Sequence, residues 1–321
     1  MQAEDIISWV KEKMMELGGN EYKFNYSEIE DIWFIIMALS DSTFSSIDAS
    51  VGKKGRYWIS CEAMMSAMNT IVTIDFCCHR GAYSDAYTMV RKYRDDLMQY
   101  LFVLNVIKNM QGLTEEEIKD ISFDAESFIK MIELDFQILI SGERKSDAEL
   151  AMESWMYNDL ELTEHSEMRK RFFDTSKYKN FLMSADKSID YMMKNYLNTA
   201  WKKEDRKLNN YVHGNGLKYL TDNYAYQINK GKKDKELIET LQNITDIFLS
   251  LLALIDSVKM HSSDYLDAMD MGVQPEDGSQ YWVCSSIVEY MNRRFDKDLL
   301  SYIQKNEKNG MKFMLQDYRN D

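Results

Sequence analysis

Proline is almost missing from this chain: one residue, Pro275, in 321. Proline fixes φ and removes a backbone donor, so it gathers in loops and at sheet edges and is scarce where helices follow one another on short connectors. Thirteen glycines are too few for the glycine-bearing turns that an all-β chain needs every eight to twelve residues. The four cysteines, Cys61, Cys77, Cys78 and Cys284, show no C-x-x-C spacing, and a vicinal pair such as Cys77 and Cys78 rarely forms a structural disulfide, so a reducing compartment is expected. No apolar run reaches a membrane span. The longest, IFLSLLALI at 247–255, is under half of the roughly 20 residues required. The opening stretch, MQAEDIISWVKEKMMELGG, patterns as an amphipathic helix carrying both charge signs rather than as a secretory signal. The expected location is cytoplasmic, away from membranes.

What is present fits a folded helical protein. The composition is 45% apolar, 12% aromatic and 29% charged, enough to build a sizeable core and unlike a disordered chain. The fold class expected is all-α: a helical bundle with a long antiparallel helix hairpin at its core and additional N- and C-terminal helices. Three regions follow: a helical extension at 1–50, a core at 51–262, and a C-terminal helical unit at 263–321 packed on that core. Together they form one connected body.

Helical periodicity predicts a first helix at 3–17 and a second to about Leu39, started by a Ser27 and Glu30 capping box. The polar stretch SSIDASVGKKGR separates them from a helix over Trp58–His79, with Cys61, Met64, Met65, Met68, Ile71, Val72 and Phe76 at three-and-four spacing. His79, Arg80 and Gly81 end that helix, the basic residues meeting the C-terminal dipole and the glycine taking a left-handed cap. A second long helix, Ser84 to about Lys108, completes the hairpin through Tyr87, Val90, Leu97, Met98, Leu101 and Leu104. Further helices are predicted near 115–120, where Thr114 and Glu117 supply a cap, and at 124–141. An acidic connector, SDAELAMESWMYNDLELTEHSE, leads to a basic and aromatic segment at 167–197, then to helices over Thr199–His213 and Lys235–Met260 and to an amphipathic C-terminal unit over Tyr281–Phe313. The 23 methionines read as core filler.

Net charge is −14, which disfavours broad nucleic-acid binding, because phosphate contacts depend on Lys and Arg. Its distribution is uneven. Between Ala200 and Lys235 nine basic residues face four acidic ones, a local excess of five positive charges in an acidic protein. Inside this region lies DRKLNNYVHGNG, Asp205 to Gly216. Seven residues along an α-helix return a side chain to within about 20° of its starting direction, about 10.5 Å further on. Arg206 and His213 therefore project from one face, with Asn209 and Asn210 between them and Trp201, Leu208 and Val212 forming the buried stripe. Arginine offers a permanently charged fork for a phosphate, and histidine exchanges protons near neutrality. Together they suffice for metal-free RNA cleavage: the imidazole removes the 2′-hydroxyl proton or protonates the leaving oxygen, and the guanidinium stabilises charge on the phosphorus oxygens. The same pattern also describes an ordinary solvated helix face.

The spacing of Arg206 and His213 resembles the R-x(4-6)-H signature of the HEPN superfamily, and YVHGNG and the hairpin HRGAYSDAYTMVRKYRDDL are similar to HEPN-like bacterial proteins. The likeness spans roughly Trp58–Leu104 and Trp201–Met260. It implies an all-α ribonuclease, or a toxin-antitoxin or anti-phage RNA-binding protein, in which Arg206 clamps the phosphate, His213 acts as acid or base, and Asn209 or Asn210 positions substrate. It implies a homodimer in which two Arg/His pairs share a cleft, and a protein antitoxin or regulator as a further partner. Lys207 stands where the family pattern often has Asn or Asp. Lys202, Lys203, Lys207, Lys218, Lys232 and Lys233 are the expected RNA-gathering residues.

Arg91 and Arg94 continue an apolar stripe, so their charges need partners. Asp75 on the preceding helix and Asp95 at i+4 from Arg91 would supply a salt-bridge network; alternatively the arginines line the phosphate cleft beside Arg206. Asp75 and His79 lack the further ligands a metal site needs, His165 and His261 stand alone, and no Gly-rich phosphate loop or Ser/Cys nucleophile motif occurs, so no metal or cofactor is expected. The competing function is a non-enzymatic helical interaction module binding a protein through the acidic surface or the apolar 247–255 helix.

Overall fold

The computed structural model describes residues 22–41, 60–109, 146–156, 171–172, 175–223, 229–260, 271 and 285–307. The helices expected at 3–17, 115–120 and 124–141, the polar stretch at 45–56, and His165 and His261 lie outside the described residues. Among the described residues the protein is all-α, with no strand.

Helices α1 (Ser27–Asp41), α2 (Ser60–Arg80) and α3 (Tyr83–Lys108) open the fold. The hairpin between α2 and α3 is closed by Gly81, whose φ of 74° is the left-handed conformation glycine adopts without a Cβ penalty. Gly81 N donates to Cys78 O (3.0 Å) and Ala82 N to Cys77 O (2.9 Å), the paired bonds of a Schellman cap. Then come α4 (Asp147–Met156), α5 (Thr175–Ala185) and α6 (Lys187–Met192), a π-helical turn (Met193–Leu197), and α7 (Asn198–Val212). The short α8 (Leu217–Thr221), the long α9 (Lys230–Asp256) with a 3-10 turn to Met260, and α10 (Ser285–Arg294) and α11 (Lys297–Asn306) complete the described chain.

Helix α3 is the axis. It packs against α2, α9, α7 and α5, and is buried on several sides by Tyr87, Val90, Leu97, Met98, Leu101 and Leu104, as its apolar spacing predicts. One continuous core runs from Ile29 of α1 through Ile71 of α2 and Leu241 of α9 to Ile303 of α11.

Several expectations need correction. On α2 the buried line is Met64, Ala67, Ile71, Ile74 and Cys78; Met65 and Phe76 are 53% and 55% exposed. The apolar stripe is wider than the wedge α1 and α3 can cover, so its flank meets water. The Ser27 and Glu30 capping box gives way to a cap from across the fold: buried Asp75 accepts from Asn25 N, Tyr26 N, Asn25 Nδ2 (2.6 Å) and Tyr22 Oη (2.6 Å). Asp75 therefore ties the entry to α1 onto α2 and pairs with neither arginine. The acidic connector contains α4, whose Ser146 and Glu149 form a reciprocal capping box: Ser146 N to Glu149 Oε2 at 2.9 Å, Glu149 N to Ser146 Oγ at 3.2 Å. The lysine-rich break after α8 is shorter than expected, because Lys230–Lys235 already belong to α9. Within the C-terminal unit the described residues form α10 and α11, with Asp296 capping α11 through Leu299 N (2.7 Å). The run at 247–255 is buried throughout, so it offers no surface to a partner. Among the described residues α9 is the one helix long and apolar enough to cross a membrane, and 78% of that window is buried.

The first turn of α9 is locked by Asp234. Its carboxylate accepts from Tyr83 Oη (2.7 Å) and Lys230 Nζ (2.8 Å) with Cys78 Sγ at 3.5 Å, and Lys230 also donates to Tyr26 Oη (2.8 Å). Four segments meet there. Burial alone would raise the Asp234 pKa, but the hydrogen bonds from Lys230, Tyr83 and Tyr26 hold it below the usual aspartate value, and burial pushes the Cys78 thiol up. A carboxyl with a depressed folded pKa contributes stability that is full above its unfolded value and is lost as pH falls through the folded one. In urea unfolding, Asp234→Asn is expected to cost about 1–2 kcal/mol from pH 5 to 8, with the gap to wild type closing below about pH 4. A gap that stays the same from pH 5 down to pH 2 would show that the carboxylate charge is not what locks the turn.

Candidate functional site

Helix α7 turns Trp201, Glu204 and Leu208 inward. Tyr211 continues this line, stacked on Tyr87 of α3 (4.1 Å between centroids, 17° between planes) and donating to Asp222 Oδ2 at 2.6 Å. Burial, then the Asp222 bond, hold the Tyr211 phenol well above the ordinary tyrosine pKa. Because Tyr211 fills the place facing α3, Val212, expected in the buried stripe, is 37% exposed.

The opposite face carries the polar strip. Arg206 and His213 are exposed, and Asn209 and Asn210 are half-buried. Lys202 is also exposed, and its four-residue step to Arg206 extends the strip by one turn, to about 16 Å. Arg206 makes no hydrogen bond or ion pair with any described residue. Asn210 Nδ2 donates to Tyr219 Oη (3.2 Å), so it is braced from behind by the segment that follows.

His213 is the C-cap of α7. The chain breaks immediately after it: Gly214 has φ 55°, Gly214 N donates to Tyr211 O (3.2 Å) and Asn215 N to Asn210 O (3.0 Å). This is the same cap that closes the α2–α3 hairpin, and a Cβ at position 214 would meet Leu220 Cδ2 at 3.2 Å. The following residues are tied to the start of α3: Asn223 Oδ1 accepts from Ser84 N (2.9 Å), and Ser84 Oγ donates to Tyr219 O. That attachment brings the end of α7 to the first turns of α3, where Arg91 Nη1 lies 3.4 Å from His213 Nε2.

Behind this contact runs an ionic chain. Arg91 Nε is 3.5 Å from Asp95 Oδ2; Asp95 Oδ1 accepts from Arg94 Nε (2.8 Å) with Nη2 at 2.7 Å; Arg94 Nη1 donates to Asp205 Oδ1 at 2.7 Å. The Arg94 side chain is 3% exposed and sits 5.6 Å from the Trp201 ring centroid. The two arginines thus divide the alternatives set by the sequence. Arg94 is the internal tie, linking α3 to α7, with Asp205 as its partner in place of Asp75. Arg91 reaches the surface and touches His213.

The expected RNA-gathering lysines also divide. Lys203 Nζ lies 3.2 Å from Glu239, which raises its pKa, and 3.6 Å from buried Glu204. Lys207 Nζ donates to Thr240 Oγ1 (2.8 Å) and lies 3.1 Å from Glu204 Oε2, out of line for a hydrogen bond. Lys233 donates to Asp222 (2.9 Å), and Lys232 lies 3.9 Å from Glu236. Lys202 and Lys218 are exposed and make no ion pair with a described residue; Lys218 Nζ sits 5.7 Å from the Tyr219 ring. Lys203, Lys207 and Lys233 are therefore committed to carboxylates; among the exposed cations of the basic region Lys202, Arg206, Lys218 and Lys235 make no ion pair with a described residue, and Arg91, paired with Asp95, adds a guanidinium beside His213.

The site is open rather than recessed. A cavity of about 250 Å³ lined by Asn105, Asn109, Ser146 and Phe181 lies elsewhere, roughly 20 Å along α3 from Arg91. Among the described residues no group of three His, Cys, Asp or Glu side chains is placed to hold a metal, and His79 is exposed at the end of α2. Sequence reading missed the pairing of Arg94 with Asp205 and of Arg91 with His213; the Arg91 to Asp95 spacing was the only local sign of either. No family model, curated protein or solved structure matches the chain.

Arg94→Met leaves Asp95 and Asp205 without their shared cation. Both carboxylates are partly exposed (33% and 39%) and recover some hydration, so the loss is expected to be about 2 kcal/mol in urea unfolding rather than the 3–5 typical of a fully buried pair. Adding Asp205→Asn to Arg94→Met should restore part of it in a double-mutant cycle. Strict additivity of the two changes would show that the pair does not hold α7 to α3.

Proposed function

We propose that the protein is a HEPN-like, metal-independent ribonuclease, or a toxin- or defence-type RNA-binding relative, with His213 and Arg206 as its working pair. The observation that carries this reading is the contrast between charges: five of the nine cations of the basic region meet a carboxylate, while Arg206, its one arginine, is left without a described partner on the face that presents His213. A free guanidinium on a protein of net charge −14 is suited to an anion brought from outside.

In this reading the 2′-oxygen attacks the adjacent phosphorus, the bond from phosphorus to the 5′-oxygen breaks, and the products are a 2′,3′-cyclic phosphate and a 5′-hydroxyl. His213 accepts the 2′-hydroxyl proton, and Arg206 stabilises the charge that builds on the non-bridging oxygens. Asn209 lies between them on the strip and orients the sugar-phosphate; Lys202 and Lys218 extend the positive surface to neighbouring phosphates. The leaving oxygen needs a proton, which the imidazole of a second copy supplies if the protein works as a homodimer. Leu217 and Leu220, 76% and 59% exposed, and Val212 flank His213, an apolar rim that supports such a pairing.

Wild type should cut a single-stranded RNA, with His213→Ala lowering the rate roughly 10²-fold to 10⁴-fold and Arg206→Ala roughly 10²-fold to 10³-fold. RNA binding should weaken steeply as salt rises. Equal cleavage by wild type and His213→Ala, or none by either, ends the enzymatic reading.

Gel filtration tests the pairing separately. Leu220→Glu is expected to shift a dimer to monomer and to reduce cleavage with the helical circular-dichroism signal unchanged. A wild type already eluting as a monomer at assay concentration would sink the shared-site version.

A further inference from the structure

We infer that Arg91 is a positioning residue for His213: in the free chain it occupies Nε2, so that the neutral ring carries its proton on Nδ1, and an arriving phosphate takes the guanidinium over and leaves Nε2 open. This rests on reading His213 and Arg206 as a phosphate-handling pair. The argument starts from donors and acceptors. A guanidinium can only donate, so the imidazole nitrogen that faces Arg91 Nη1 at 3.4 Å must offer a lone pair. That places the ring proton on Nδ1 and occupies the nitrogen that would otherwise abstract a proton.

The guanidinium is itself held on one side. Its Nε lies 3.5 Å from Asp95, and Asp95 is fixed by buried Arg94, which is fixed by Asp205 on α7. The chain therefore begins and ends on the helix that carries His213, spanning it from Asp205 to the C-cap. Arg91 Nη2 has no partner among the described residues, and the Arg91 side chain is 25% exposed, so the fork keeps donors for an anion that arrives beside the imidazole. A phosphate oxygen offers Arg91 a charge-assisted, bidentate acceptor, stronger than the neutral lone pair of Nε2. When the guanidinium turns to the anion, the freed nitrogen lies next to the phosphate group whose neighbouring 2′-hydroxyl has to be deprotonated. The site thus exposes its base only when an anion is present.

The chain has four histidines, so the imidazole nitrogens of uniformly 15N-labelled full-length protein can be read one by one, with His213→Gln identifying the resonances of interest. In wild type at a pH where the ring is neutral, Nε2 of His213 should report as an acceptor and Nδ1 as protonated. Adding inorganic phosphate should move Nε2, and Arg91→Met should begin near the moved position and respond little to phosphate. Arg91→Lys should keep part of the response. The inference is overturned if Nε2 of His213 carries the proton in wild type, or if Arg91→Met leaves both its shift and its phosphate response unchanged. These nuclei report whether or not RNA is cut, so an inert wild type would sink the ribonuclease reading without touching the Arg91 result. If wild type does cut, Arg91→Met should lower kcat/KM roughly 10²-fold and reduce the slope of log affinity against log salt for a single strand lacking 2′-hydroxyls by about 0.7. An unchanged kcat/KM and slope would overturn the inference, provided thermal unfolding shows the variant folded.

Discussion

A guanidinium removed from water must be neutralised where it lies, and in this protein that constraint falls on Arg94. It is 2% exposed in the middle of the central helix, and an unpartnered charge there would cost several kcal/mol. Asp95 from its own helix supplies one carboxylate and Asp205 from α7 supplies the other, with the Trp201 ring alongside. The demand for two partners therefore fixes where α7 can sit. With Asp205 held at Arg94 and Tyr211 stacked on Tyr87, α7 runs antiparallel to α3 and its end arrives at Arg91. The position of the most chemically active side chain on the strip follows from satisfying a charge two turns away.

The same economy of charge shapes the surface. As a line of letters, residues 200–235 look like a broad positive field. Folded, the field is narrow, because Lys203, Lys207, Lys230, Lys232 and Lys233 each meet a carboxylate. Two of these pairs, Lys203 with Glu239 and Lys233 with Asp222, join α7 or the segment after it to α9, so they act as fasteners between helices. What remains outward is a strip on one face of α7 with one arginine added from α3, together with the separate exposed lysines Lys218, Lys232 and Lys235. A ligand meeting this protein would experience a few directed donors set in an anionic surface rather than a general attraction for polyanions.

Alongside the strip lies apolar surface of two kinds. Leu217 and Leu220 sit immediately past His213, where the chain turns back toward α3. Met65 and Phe76 lie on α2, on the side away from the hairpin contact. Both arise because short helices and broad stripes cannot all be covered by the neighbours the topology provides. The 247–255 run is the opposite case: the longest apolar stretch in the chain sits wholly inside, since the core helix of a bundle of this size must be apolar on every side.

The sequence by itself determined the class, the hairpin and the end of the strip. Scarce proline and three-and-four periodicity require helices, Gly81 and Gly214 stand where only a residue without Cβ turns the chain cheaply, and the phase of α7 places Arg206 and His213 outward because Trp201 and Leu208 must be inward. These are local facts, set by backbone geometry within one or two turns. The Ser146 and Glu149 cap was equally local and legible, though the acidity around it concealed the helix it starts. Only the tertiary structure decided that Asp75 caps α1, that Arg94 belongs to Asp205, that Lys207 turns inward to Glu204, and that Arg91 meets His213 across 122 residues of chain. A charged side chain has many partners of the right sign in a sequence, and which one it takes depends on which helices the core brings together.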